Sequence, residues 1–398
     1  MTDYSNELYY IFLLFALFIV PRVLQRFRLP SAITCVGLGA LAGLGLGLFH
    51  LDGTVQLLST LGIVALFLFA GLDVDFVELY RHRGVVAQHL GVMILSVAVV
   101  TVISQYLFNI GTRPAMLVAL ALLTPSTGFI LDSLSTLGLS EREKFWIRTK
   151  AIATEIVALL VLFFVLQTTT VPQFAKSVGI MAALIILLPL LFKMFADWIL
   201  PYAPRTEFTF MVIVAVAAAF ITLRLGVYYL VGAFIVGLVA HRFQHKLPAL
   251  ASDQTLHALE LFAAFFIPFY FFSAGLHLQR DDFSRLALLT GGAFVAVMVP
   301  LRLLSVALHR RAVMGESLRT GMRIGASMLP TLVFTLVIAG ILRDRFDVPG
   351  YLFGGLIVYT LANTLIPGFT LGISPTNFME PKIATEEYLD PEEPGLSN

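Results

Sequence analysis

Apolar runs of roughly 20 residues recur along the whole chain, separated by short polar segments. That length crosses a bilayer core as a helix. The pattern predicts about thirteen transmembrane helices: 7–25, 30–49, 55–76, 85–108, 114–137, 144–167, 174–198, 207–223, 227–243, 258–278, 286–308, 318–342 and 349–372. The first run follows a polar MTDYSNEL stretch, with no basic leader and no small-residue cleavage site. It reads as a retained span and not as a signal peptide.

Composition agrees with an all-α polytopic membrane protein. The chain is 58% hydrophobic and 13% charged, whereas soluble domains carry about 25% charged residues. Charge sets the orientation. With the N-terminus outside, the segments on the cytoplasmic side hold 18 basic residues and the outer segments 7, a positive-inside bias. The 373–398 tail, with its TEEYLDPEEPG acidic run, reads as disordered and cytoplasmic. Cys35 is the lone cysteine, so no disulfide forms within the chain. A net charge of +1 gives no sign of a nucleic-acid partner.

Thirteen spans divide as six, one and six. The two sixes then run in opposite directions, as inverted repeats about 7–167 and 207–372 joined by a linking helix 174–198, all within a transmembrane domain 1–372. Transporters built this way bind at mid-membrane, where interrupted helices occupy matching positions in the two halves. The fifth span of each half fits. One carries LLTPSTGF, with Pro125 among Thr124, Ser126 and Thr127; the other carries RIGASMLPTLVF, with Pro330 beside Thr331. Proline removes a backbone donor and unwinds the turn around it. The freed carbonyls and nearby hydroxyls are oxygen ligands of the kind a desolvated alkali cation needs.

Glu155 stands alone as an acid central to an apolar span, in AIATEIVALL. An acidic group at a helix centre costs roughly 2.5–3.5 kcal/mol on insertion scales, so it marks a functional site with a partner to be found. Arg302, in GGAFVAVMVPLRLLSVAL, is the basic residue inside a span and is the expected partner. Asp132, two turns beyond Pro125, is a candidate for an ion funnel. Asp73 and Asp75 read as interface acids after the third span. His241 and His245 in HRFQH read as solvated interfacial histidines, and no metal site is expected. Gly39, Gly43 and Gly47 form a small-residue face for close helix packing. No HExxH, GxSxG or phosphate loop is present, so an enzyme is not expected.

Four stretches together resemble the monovalent cation/proton antiporter-2 family, which contains sodium/proton and Kef-type potassium/proton antiporters. They are LGIVALFLFAGLDVDFVEL (Leu61–Leu79), LTPSTGFILDSLSTLGLSEREKFWIRTKAIATEI, GAFIVGL (Gly232–Leu238) and FYFFSAGLHL (Phe269–Leu278). The resemblance implies two inverted repeats with crossed discontinuous helices, a homodimer, a moving core domain and no cofactor. It also implies residence in a bacterial inner membrane.

In that family the carboxylate helix carries Asp-Asp, Asn-Asp or Gln-Asp; the matching positions here are Thr154 and Glu155. The exchanging acid is kept with a longer side chain, and its neighbour becomes a neutral hydroxyl, which puts classical sodium specificity in doubt. Kef-type members carry Gly-Glu where this chain has Gly325-Ala326, which weakens a potassium assignment. The expected function is exchange of a monovalent cation, sodium or potassium, for a proton. Glu155 would be the shared site, Thr154, Thr124, Ser126 and Thr127 would supply oxygens, and Arg302 would compensate charge. With a single titrating acid the exchange is expected to be electroneutral. The rival readings are a transport-inactive sensor or accessory subunit, and a channel-like or sodium-coupled solute carrier on the same fold.

Overall fold

The computed structural model describes residues 3–49, 52–127, 130, 140–167, 170–226, 229–243 and 252–371. Among them there are helices and turns and no strand. In chain order the helices are α1 (Asp3–Gln25), α2 (Ser31–Ala40), α3 (Gly53–Leu72), α4 (Phe76–Arg81), α5 (Arg83–Phe108), α6 (Thr112–Leu123), α7 (Glu141–Gln167) and α8 (Val171–Met194). They continue as α9 (Glu207–Arg224), α10 (Tyr229–Phe243), α11 (Asp253–Leu276), α12 (Arg285–Met314), α13 (Leu318–Ser327), α14 (Leu332–Phe346) and α15 (Gly350–Thr370).

Each of the thirteen apolar runs carries helix, but not all as full spans. Among the described residues nine helices are long and apolar enough to cross a membrane, and α13 with α14 makes a tenth, bent by 57°. The other three runs hold shorter helices, Ser31–Gly45, Thr112–Leu123 and Leu230–Arg242. The reason is local. The Ser31 helix loosens into a π turn at Leu41–Gly45, and Thr124 leaves the helical region to end α6. Short helices are tolerated because protein, and not lipid, surrounds their ends. Asp132, His245 and the 373–398 tail lie outside the described residues.

Glycine brings four of these helices together in two matching pairs. A Cβ on Gly39 would fall 2.0 Å from the Phe272 carbonyl oxygen, and one on Gly275 would fall 2.1 Å from that of Val36, so α2 and α11 touch backbone to backbone. The same holds for α3 and α10, through Gly71 against Phe234 (2.2 Å) and Gly237 against Leu68 (2.1 Å). Gly39 meets Phe272 and Leu276 as Gly237 meets Leu68 and Leu72. Exchange of the two halves maps one contact onto the other. Gly43 packs on Leu276 as the small-residue face predicts, but Gly47 does not belong to that face: it sits at φ +64° with open space around it and turns the chain out of the π turn.

Burial separates inner from outer helices. α6, α10 and α14 are enclosed, whereas α1, α5 and α8 expose wide apolar faces, such as Ile185, Ile186, Leu187 and Leu190 on α8. Such faces suit lipid contact.

Candidate functional site

Two chain breaks meet at the centre of the molecule, and their backbone groups can be accounted for one by one. Pro125 has no N–H, so the Ala121 carbonyl loses its helical donor; the Thr335 hydroxyl replaces it at 2.7 Å. The Ser126 N–H would serve Leu122, but it donates to the Pro330 carbonyl of the other break at 2.8 Å. The Leu122 carbonyl accepts instead from the Tyr359 hydroxyl at 2.8 Å. The Val333 N–H donates to Ser126 Oγ at 3.1 Å. That frees the Leu329 carbonyl, which accepts from Arg302 Nη1 at 2.7 Å, while Arg302 Nη2 reaches the Met328 carbonyl at 2.6 Å. The two chain breaks at the prolines therefore bond through each other, while the segment that follows Thr127 lies almost wholly outside the described residues.

Polar side chains hold the second break firmly. Thr331 Oγ1 accepts from Asn363 Nδ2 at 3.0 Å and lies 3.0 Å from the Thr360 hydroxyl and 2.8 Å from that of Thr335. Arg302 Nη1 also reaches the Tyr359 hydroxyl at 3.2 Å, which ties the guanidinium to α6 through Leu122. The first break differs. Thr124 and Thr127 are buried, and among the described residues neither hydroxyl is tied into a hydrogen-bond net; Thr127 faces only the Glu155 carboxyl.

Glu155 is 4% exposed, on a helix that is apolar from Ala151 to Leu166. Its carboxyl faces the Thr127 hydroxyl, close enough to interact with it, and lies within electrostatic range of Asp73. Asp73 is exposed at the C-terminal end of α3, so one water-facing acid stands towards the buried one. The sequence had placed Asp73 at the interface with no further duty. The Gly-Leu-Asp stretch at the end of a span was the available signal for more.

Arg302 does not do what the sequence suggested. It is buried, but its guanidinium serves the Met328 and Leu329 carbonyls at the C-terminal end of α13 and forms no ion pair with Glu155. A helix C-terminus carries partial negative charge, which a cation offsets. Thr154 and Glu155 also part company, because consecutive helical residues point about 100° apart. The Thr154 hydroxyl donates back to the Lys150 carbonyl at 2.6 Å. Its side chain lines a cavity of about 60 Å³ together with Pro125, Lys150, Arg302, Gly325 and Met328, and Glu155 is not in that wall.

Lys150 was counted in sequence as a cytoplasmic positive charge. The structure turns it inward into this cavity. His241 Nδ1 lies 2.5 Å from the Leu72 carbonyl, a satisfied position at the end of α3. Among the described residues no group of three or more metal-ligating side chains occurs.

Residues 12–374 match the family described as sodium/hydrogen exchanger, transmembrane. A Na(+)/H(+) antiporter of Enterococcus hirae is 23% identical over 363 residues, 86% of this chain and 91% of that protein. A probable Na(+)/H(+) antiporter of Methanocaldococcus jannaschii is 25% identical over 304 residues, 67% of this chain and 71% of that one. Among solved structures, a sodium proton antiporter from the same archaeon superimposes with a TM-score of 0.69 at 13% identity, covering 96% of this chain and 100% of that one. These matches speak for the broad sodium/hydrogen exchanger family and do not support the antiporter-2 assignment or its Kef-type branch. The crossed, proline-broken helices and the family match over nearly the whole chain lead to one conclusion: this chain belongs to the transmembrane sodium/hydrogen exchanger family.

Proposed function

We propose that the protein is a secondary antiporter that exchanges sodium for protons, with Glu155 as the site both ions share. One observation carries the reading: a buried carboxyl lies beside a proline break whose Thr124 and Thr127 hydroxyls are buried and, among the described residues, tied into no hydrogen-bond net. A carboxylate and neutral hydroxyls are hard oxygen donors suited to an alkali cation. A proton and a cation compete for the same carboxyl oxygens, so each ion excludes the other. Exclusive occupancy of one site that opens alternately to the two sides yields coupled exchange. Opposite fluxes then follow without a further device.

The remaining residues support that site. Ser126 and Pro330 pin the crossing, Pro125 and Pro330 create it, and Arg302 neutralises the end of α13. Thr154 lines the cavity beside the crossing. Asp73 gathers cations at the entrance, and Asp132 retains its proposed place in the funnel. Sodium is preferred to potassium because the relatives matched above are named as Na(+)/H(+) antiporters and this chain lacks a Gly-Glu pair at Gly325-Ala326.

We assign the repeats to 7–167 and 207–372, with 174–198 as linker and the N-terminus outside; the pairing of α2–α11 with α3–α10 supports that division. A homodimer in a bacterial inner membrane completes the reading.

The test is transport by the purified protein in sealed vesicles that report internal pH. A sodium gradient should drive opposite proton movement, and a potassium gradient should do so weakly. Absence of flux with every cation tried would favour the transport-inactive reading. Sodium flux without proton movement would favour a channel or solute carrier.

A further inference from the structure

The cavity beside the crossing is lined by two basic side chains, Lys150 and Arg302, and by no carboxylate among the described residues. Arg302 spends both terminal nitrogens on carbonyls. Lys150 makes no hydrogen bond or ion pair among the described residues; its ammonium lies over the Trp146 ring, 5.4 Å from the centroid. Lys150 is half-buried, and an ammonium drawn into such a wall without a hydrogen-bonded counter-charge is costly.

A second, independent feature lies directly beneath. Three helices enter the cavity wall with Met93, Lys150 and Val306. One turn lower stand His89, four residues before Met93, Trp146, four before Lys150, and Arg310, four after Val306 on a helix running the other way, with His309 beside it. These side chains form a closed layer. The His89 and Trp146 rings are 4.8 Å apart, His89 and His309 5.2 Å, and Trp146 and His309 5.6 Å. Arg310 lies over the indole at 4.6 Å and gives Nε and Nη2 to Glu316.

Five polar atoms of that layer are buried without a partner: both ring nitrogens of His89, Trp146 Nε1, His309 Nδ1 and Arg310 Nη1. The indole and guanidinium nitrogens donate only, and a neutral imidazole supplies at least one further donor. The layer therefore has more donors than acceptors and lies under an uncompensated ammonium. A group that only accepts hydrogen bonds and carries negative charge meets both conditions.

We infer that the protein binds a small inorganic anion of the halide class at Lys150, between the cavity and the His89–Trp146–Arg310 layer. The inference stands apart from the role given to Glu155, and its test can fail separately. Trp146 is one of two tryptophans, and the other, Trp198, is 68% exposed. In a Trp198→Phe background the indole emission therefore reports on the site. Bromide, titrated against gluconate at constant ionic strength, should quench that emission along a saturating curve that chloride reverses. Lys150→Gln should abolish the saturable part, Lys150→Arg should retain it, and Glu155→Gln should leave it unchanged. Quenching that is linear in bromide, unaffected by chloride, or equally saturable in Lys150→Gln would overturn the inference. If Lys150→Gln fails to fold, the thermal midpoint of the unmodified protein decides. It should rise to a plateau with chloride but not with gluconate, and equal responses to the two salts would overturn the inference as well.

Discussion

The two helix breaks are alike in sequence and opposite in bonding. Around Pro330 the freed groups are held by side chains: Arg302 caps two carbonyls, and Thr331 sits in a net of Asn363, Thr360 and Thr335. Around Pro125 the backbone is equally well served, yet among the described residues the Thr124 and Thr127 hydroxyls are left out of any such net beside the buried Glu155. Buried polar groups are nearly always bonded. A pair left over next to a buried acid therefore marks a place kept for an ion, while the saturated break is scaffold. The difference teaches that one break holds the crossing rigid so that the other can exchange ligands.

Substitutions can break that comparison. The largest effect is expected at Glu155: Glu155→Gln should reduce sodium-driven proton movement to the level of empty vesicles while leaving the protein folded. Retained antiport would remove the shared site. Next comes Arg302→Ala, which strips donors from two buried carbonyls at about 1–3 kcal/mol for each group left unsatisfied. Its thermal midpoint should fall sharply, and Arg302→Lys, which cannot fork to both carbonyls, should recover only part. A midpoint close to wild type would mean that the second break is not held in this way.

Thr331→Val should behave as a scaffold change, lowering stability by about 1–3 kcal/mol with little effect on the sodium concentration for half-maximal exchange. Thr127→Val should do the reverse. Among the described residues the Thr127 hydroxyl faces only the Glu155 carboxyl, so stability should fall less than in Thr331→Val, whereas sodium affinity should fall by about tenfold, equivalent to about 1.4 kcal/mol. If Thr331→Val shifts affinity and Thr127→Val shifts stability, the roles of the two breaks are reversed. The smallest expected effect is on voltage. Glu155 carries either one proton or one sodium ion across, and the site's net charge is the same in both cases, so an imposed potassium-valinomycin potential should leave the exchange rate unchanged. A rate that follows its sign would show a second titrating group, and Asp132→Asn would identify it.

Much of this was legible in the sequence, for physical reasons that differ by residue. Run length revealed the thirteen helical segments, because a bilayer imposes a length on any span. Two prolines at matching places revealed the crossing, because proline interrupts hydrogen bonding wherever it stands inside a helix. Glu155 declared itself by cost. Arg302 was visible as a buried cation, but its partner was not. A charge in a low-dielectric interior can be met by a carboxylate or by helix-end carbonyls, and one sequence does not distinguish them. Lys150 was misjudged for a related reason. It stands near the end of a span, where charge is ordinary, and only the packing of α5, α7 and α12 determines that it turns inward, whereas Asp73 stays exposed at the end of α3 as read. The His89–Trp146–His309 layer left no local trace, since its members come from three helices far apart in the chain.

Competition between proton and sodium on one carboxyl is the central claim, and proton release tests it most directly. Purified protein in weak buffer, at a pH where the site is largely protonated, is titrated with sodium chloride against an equal series of choline chloride. The wild type should release protons saturably towards one per chain, with the half-saturating sodium concentration rising as pH falls, and Glu155→Gln should release none. Proton release that persists in Glu155→Gln, or sodium affinity that does not change with pH, would contradict the account.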